Sequence, residues 1–221
     1  SRLEANGRTD VGDIYARRNL WLTFFGLING FILLWSGDIL FYYGLIALIA
    51  FPFRTLAPKW LFSIAAGVLA FGASWGVLDN MALLEKHAAS AIVEAKDGTP
   101  TPEQKELAKE WEGALADFEY TPDEQQAYVE TRTASYASAI AQVAEQTRKS
   151  QSWAFYRYIF FDVFSMTLIG LGLFKLGVFT LERPTRLYIA LVVIGYGMGL
   201  TVNAFETRWI IDNGFSLLAF S

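Results

Sequence analysis

The chain has 221 residues, 53% hydrophobic and 18% charged, with a mean hydropathy of +0.30 and a formal net charge of −4. Soluble domains of this size carry nearer a quarter charged residues, and here the apolar residues gather in blocks long enough to cross the roughly 30 Å hydrocarbon layer as helices. The lack of cysteine excludes disulfides and thiolate metal sites. A single histidine excludes multi-histidine metal patterns, and no basic patch points to nucleic acid. No metal and no cofactor is expected, and membrane lipids are the expected surroundings.

Residues 1–18 form a polar lead-in, followed by the apolar run 19–53, whose only carboxylate is Asp38. As one helix that run would be about 50 Å long, too long for a single upright span. Two short spans meeting near Ser36, Gly37 and Asp38 fit better, with Gly37 relaxing the backbone at the turn. Pro52 and Pro58 then bracket a short link, and residues 60–78 make a third span; Gly72 and Gly76 in it have the four-residue spacing of close helix packing. Residues 79–152 hold fourteen acidic and seven basic side chains, a local charge of −7 that marks a soluble excursion. Within it "TPEQ" at 101–104 and "TPDE" at 121–124 are capping-box patterns, each predicted to start a helix. Leu107, Trp111, Leu115 and Phe118 share a face of the first helix. Val129, Tyr136, Ile140 and Val143 or Ala144 share a face of the second, which is expected to run on toward the fourth span with a small break near Ser150. The spans at 153–179 and 187–205 follow, the latter with Gly195 and Gly199 spaced for packing. Residues 206–221 make an outer flank and the start of a further apolar run, and both chain ends read as cuts within a longer protein.

Orientation follows from lysine and arginine in the short flanks. Arg2, Arg8, Arg17, Arg18, Arg54, Lys59, Arg183 and Arg186 fall on one side and Arg208 on the other, so the N-terminal end is expected to be cytoplasmic. The expectation is an all-α, polytopic transmembrane helical bundle with an extracytoplasmic helical hairpin, divided as 1–18 lead-in, 19–78 three spans, 79–152 hairpin, 153–205 two spans and 206–221 flank.

The stretch "RRNLWLTFFGLINGFILLWSGDILFYYGLIALIAFPFR", Arg17 to Arg54, resembles the hallmark of the YeiB-like bacterial membrane proteins. "DVFSMTLIGLGLFKLGVF" at 162–179 is similar to a later span of that family. The resemblance covers the spans and not the acidic hairpin. It implies the bacterial inner membrane, further spans beyond both ends, and a distant relation to acyltransferases that move acyl groups onto carbohydrate or other envelope acceptors. Members of the family often carry histidine where this chain has Asn29, and an asparagine cannot serve as a general base.

Candidate polar intramembrane residues are Asn29, Trp35, Gly37, Asp38, Arg157, Asp162 and Asn203. Asp38 is expected to cap the second span, to act as a pocket carboxylate that binds a cation, orients an acceptor hydroxyl or relays protons, or to do both. Asn29 can face the same cavity or simply bond between helices. Asp162, five residues after Arg157, needs a partner on another span if it is deeply placed. Asn203, Glu206 and Arg208 fit a polar interfacial girdle. His87 is the only conventional proton shuttle, so Asp38 and His87 are the catalytic candidates, although a histidine in an acidic loop is usually solvated. The tryptophans fall near span ends, as interface anchors do. Three functions stay open: an acyltransferase-like enzyme, a small-solute or ion transporter, and an accessory subunit that grips other membrane subunits through the 79–152 hairpin.

Overall fold

The computed structural model describes residues 10–95 and 99–220, and every regular element among them is helical. Helix α1 spans Val11–Phe31 and α2 Leu40–Ala50, followed by a 3-10 turn at Phe51–Thr55. Then come α3 (Pro58–Glu94), α4 (Pro102–Phe118), α5 (Pro122–Ala134) and α6 (Tyr136–Lys149). A π-helical stretch, Ser150–Ile159, leads into α7 (Phe160–Lys175), and α8 (Thr185–Asp212) precedes a 3-10 turn at Leu217–Ala219.

Among the described residues three continuous helices are long and apolar enough to cross a membrane: Pro58–Glu94, Tyr136–Lys175 and Thr185–Asp212; Leu40–Thr55 is a shorter apolar helix. The bounds depart from the hydropathy reading where local capping outweighs composition. Helix α1 begins inside the polar lead-in, with Arg17 paired to Asp13 one turn away. The third span does not stop near residue 78, because nothing in the sequence down to Glu94 breaks a helix. Both expected capping boxes form: the amide of Gln104 donates to Thr101 Oγ1 (3.2 Å), and that of Glu124 donates to Thr121 Oγ1 (3.3 Å).

The helix expected to run unbroken from residue 122 is interrupted at Ser135. That residue adopts an extended backbone and forms a third capping box with Ser138, ending α5 and starting α6. The interruption shifts the helical phase. Val129 and Tyr136 are exposed, while Ala139, Val143 and Thr147 form the buried stripe of α6. Near Ser150 the backbone does not break but widens into the π-helical stretch, so α6 and α7 form one continuous rod of 40 residues.

By internal contacts the chain forms two units, one comprising residues up to Gly72 with Gln126–Thr180, the other Ala73–Gln125 with Leu181 onward. The first has a core of Tyr42, Ile46, Ala50, Leu61, Ala65, Phe155, Phe164 and Leu168, drawn from α2, the start of α3, the π-helical stretch and α7. Phe155, fully buried, stacks on Tyr42 with ring centroids 5.5 Å apart. In the second, Trp111 of α4 packs edge-on against His87 of α3 at 4.8 Å, beside a Lys86–Glu110 ion pair of 2.9 Å.

Candidate functional site

The end of α1 and the start of α2 build a polar, buried junction in the first unit. After Phe31 the chain turns back on its own helix: the Leu33 and Trp35 amides donate to the carbonyls of Ile28 (3.0 Å) and Asn29 (3.1 Å). The left-handed residue that this turn needs is Leu34, at φ 59°, and not Gly37 as the sequence suggested. An L side chain in that region is strained by roughly 1–2 kcal/mol.

Asp38 follows, only 3% exposed. Its Oδ1 accepts from Asn29 Nδ2 at 2.8 Å and its Oδ2 accepts from the Phe41 amide at 2.9 Å. The second bond caps a first-turn amide of α2 from the residue before the N-cap position, Ile39, where the helix dipole favours a negative charge. The first ties that cap to α1. A buried carboxylate is tolerated only when its oxygens are hydrogen-bonded, and here each oxygen has a donor. From the sequence Asp38 can be a cap, a pocket carboxylate or both; the structure gives it one bond to a first-turn amide of α2 and one to Asn29, the interhelical bond that was the plainer expectation for that asparagine.

Close approach of the two helices makes the tie possible. A methyl group at Gly26 would strike the Phe41 backbone and lie 2.7 Å from Asp38 Oδ2; one at Gly44 would strike Thr23 and stand 2.8 Å from the Asn19 carbonyl. Neither neighbour can move cheaply, because each is backbone within a helix.

A second polar seam runs along the rod of α6 and α7. Thr147, 1% exposed, donates from Oγ1 to the Gly30 carbonyl at 3.3 Å, and a methyl group at Gly30 would stand 3.0 Å from Gln151 Nε2. Tyr42 and Ser150 share a 2.5 Å hydroxyl contact, and the Tyr136 hydroxyl donates to the Ile32 carbonyl. The Gln151 Oε1 and Ser165 Oγ atoms are buried without a hydrogen-bond partner. Thr147, Ser150 and Gln151 are not singled out as site residues from the sequence, because residues 136–152 read as part of the polar excursion; the signal that marks them is the recurrence of polar residues at 147, 150 and 151 on the continuous rod.

Of the other candidates, Trp35 and Gly37 belong to the turn that builds this junction. Trp35 is 62% exposed and Gly37 is exposed beside its indole. Arg157 is half-buried and Asp162 is exposed. Asn203 donates to the Gly199 carbonyl one turn back at 2.8 Å, which satisfies it locally. His87 is exposed against Trp111 in the second unit. Of the packing glycines, Gly72 meets Phe161, while a methyl group at Gly76, Gly195 or Gly199 would have nothing within 4 Å. No group of three potential metal ligands occurs among the described residues.

Chemically the Asp38 junction is an acceptor and a positioning device. Asn29 retains its amide oxygen and one N–H for a further partner, so the pair can hold a hydroxyl-bearing molecule, whereas Asn29 cannot take a proton from it. Comparison of the chain with protein-family models, curated proteins and solved structures finds no match.

Proposed function

We propose that the chain is the membrane portion of a YeiB-like inner-membrane protein, with α1 entering from the cytoplasm, five spans in all, and the acidic 79–152 region on the outer side as a helical hairpin. The activity this implies is acyltransferase-like modification of an envelope or carbohydrate acceptor at the outer end of the bundle. The observation that carries it is the part-buried Asn29–Asp38 bond of 2.8 Å. The residues on which the resemblance rests are the ones that build the junction, down to the close approach at Gly26 and Gly44. Asn29 and Asp38 then orient an acceptor hydroxyl, whose oxygen forms the new ester as the bond between acyl group and donor carrier breaks, and the hydroxyl proton leaves with the carrier instead of passing to Asn29. Three membrane-length apolar helices and the basic bias of one set of flanks support the placement.

The chain lacks cysteine, so single introduced cysteines report topology without background. Ser36→Cys is expected to react with an impermeant thiol reagent from outside intact cells, and Thr55→Cys only after the membrane is opened. The reverse pattern would reject the orientation. For the chemistry, membranes containing the protein are supplied with a labelled acyl donor. Label is expected in a polar acceptor, and Asn29→Ala is expected to lower its yield more than tenfold; no acceptor labelling above empty membranes would reject acyl transfer.

A second reading, a helical subunit of a larger membrane assembly, is favoured by α8. None of its apolar window is buried, and its Gly195 and Gly199 present open space. Transport is less well supported, because Asp162 is exposed while Asp38 is buried. Purification in mild detergent separates the readings: a subunit co-purifies with other membrane proteins in fixed ratio.

A further inference from the structure

The rod formed by α6 and α7 changes its winding where it meets α2. Over Ser150–Ile159 the backbone bonds reach five residues instead of four, as from the Phe160 amide to the Phe155 carbonyl. In an α-helix each residue advances about 100°, so two residues five apart point about 140° away from each other. The wider π turn brings them roughly into line. Tyr42 uses that alignment: its hydroxyl meets Ser150 Oγ at 2.5 Å, while its ring stacks on Phe155, five residues on, at 5.5 Å. One side chain of α2 thus grips both ends of a π turn. Rewinding to α would keep Phe155 in the core and carry Ser150 away.

The helix beyond this grip is lightly held. The extended backbone at Ser135 sets α6 off from α5, and the buried stripe of α6 is Ala139, Val143 and Thr147, side chains that bury little apolar area. Hydroxyl groups add to the hold: Thr147 Oγ1 donates to the Gly30 carbonyl at 3.3 Å, and the Tyr136 hydroxyl donates to the Ile32 carbonyl. These contacts lay α6 over the end of α1, next to Asn29. The arrangement carries a penalty in the hinge itself. Gln151 Oε1 is packed out of reach of water with no donor, and a swing of α6 would return it to solvent.

We propose that α6 is a lid over the end of α1, where Asn29 holds Asp38, hinged at the π-helical stretch and latched by the Tyr42–Ser150 contact. Breaking the latch lets the outer part of the stretch rewind, which turns Thr147 away from Gly30 and uncovers the end of α1, while Phe155 keeps α7 anchored. Segments with few buried apolar contacts are the ones that open locally, and π-helical turns recur at functional sites. The lid follows from helix geometry and not from acyl transfer, so either can fail alone.

Hydrogen exchange of the full chain in mild detergent, resolved to single residues by mass spectrometry, tests the lid. In the unaltered protein the amides of 139–149 are expected to share one protection factor, as a segment that opens as a unit does, with protection rising inside 150–159. Tyr42→Phe keeps the ring on Phe155 and removes the hydroxyl; it is expected to speed exchange about fivefold, by the same factor from 139 to 149, with α7 unchanged. Ser150→Ala is expected to do the same from the other side of the latch. Gln151→Leu removes the orphaned oxygen at nearly the same volume and is expected to slow α6 exchange about threefold. Protection that falls off gradually toward Tyr136, as fraying gives, overturns the proposal. So does an α6 rate unmoved by both latch variants, a rise confined to residues next to 150, or a rise that spreads equally into α7. The protection pattern needs only the unaltered protein, so it decides the matter even if a variant fails to fold.

Discussion

Replacing Asp38 by alanine tests the junction directly. The substitution removes two hydrogen bonds to the carboxyl group and leaves the Asn29 amide and the Phe41 N–H without their partner in a site that is 3% exposed. Each such bond contributes about 1.5–3 kcal/mol, so the loss is about 3–6 kcal/mol for the pair. At roughly 2–4 °C per kcal/mol for a chain of this size, the melting temperature in detergent should fall by about 6–24 °C. Asp38→Asn separates structure from charge: its amide oxygen still accepts from Phe41 N–H, and its new N–H₂ can donate to Asn29 turned end for end. The expected loss there is about 1 kcal/mol. Thermal unfolding followed by fluorescence-detected size exclusion gives both numbers. A double-mutant cycle with Asn29→Ala should return a coupling of about 1 kcal/mol, within the range for polar pairs between membrane helices. If Asp38→Ala melts within about 2 °C of the parent, or if the cycle shows no coupling, the carboxylate is not the tie between α1 and α2 and its burial must serve something else.

Gly26→Ala should lower the yield of folded protein sharply, because the added methyl group meets backbone and Asp38 Oδ2, whereas Gly195→Ala should change the melting temperature by no more than about 1 kcal/mol equivalent, and in the stabilising direction, since it has open space and better helix propensity. Leu34→Gly relieves the left-handed strain at φ 59° and is expected to raise stability by about 1 kcal/mol in the same melting assay. Hydrogen bonds from the Thr121 backbone and side chain hold the Glu124 carboxyl below its ordinary value of 4.5. Its capping contribution is therefore complete above that pH and is lost as the pH falls through the lowered value; amide exchange at the start of α5 should quicken in that window in the parent and show no such step in Glu124→Gln. Phe155→Ala, at a fully buried position stacked on Tyr42, should cost about 3–5 kcal/mol, and an unfolding midpoint unchanged by it would mean the core of the first unit is misplaced.

Much of the helical layout is decided within a few residues of chain. The Thr-Pro starts at 101 and 121 form as read, since a capping box needs only a hydroxyl, the next three residues and their amides. Apolar length likewise announces membrane-length helices, because the cost of exposing backbone in lipid depends on composition summed along a segment. Ser135 shows the limit of this local logic: its box with Ser138 was present in the sequence, but a Ser-x-x-Ser pattern competes with helix continuation, and the outcome settled the phase of α6 and hence which face is buried.

What Asp38 does was not decidable from hydropathy, because its two donors come from different places, one three residues on and the other on the preceding helix. The same holds for Gly26 against Gly195. Both are glycines in apolar helices, yet only the first has a neighbour's backbone where a methyl group would sit. Sequence alone determines which segments are helical and apolar, since propensity, capping and transfer energy act along the chain. The tertiary structure decides which polar groups are satisfied and which small residues are indispensable, since desolvation and steric contact depend on what the rest of the fold brings within a few ångströms.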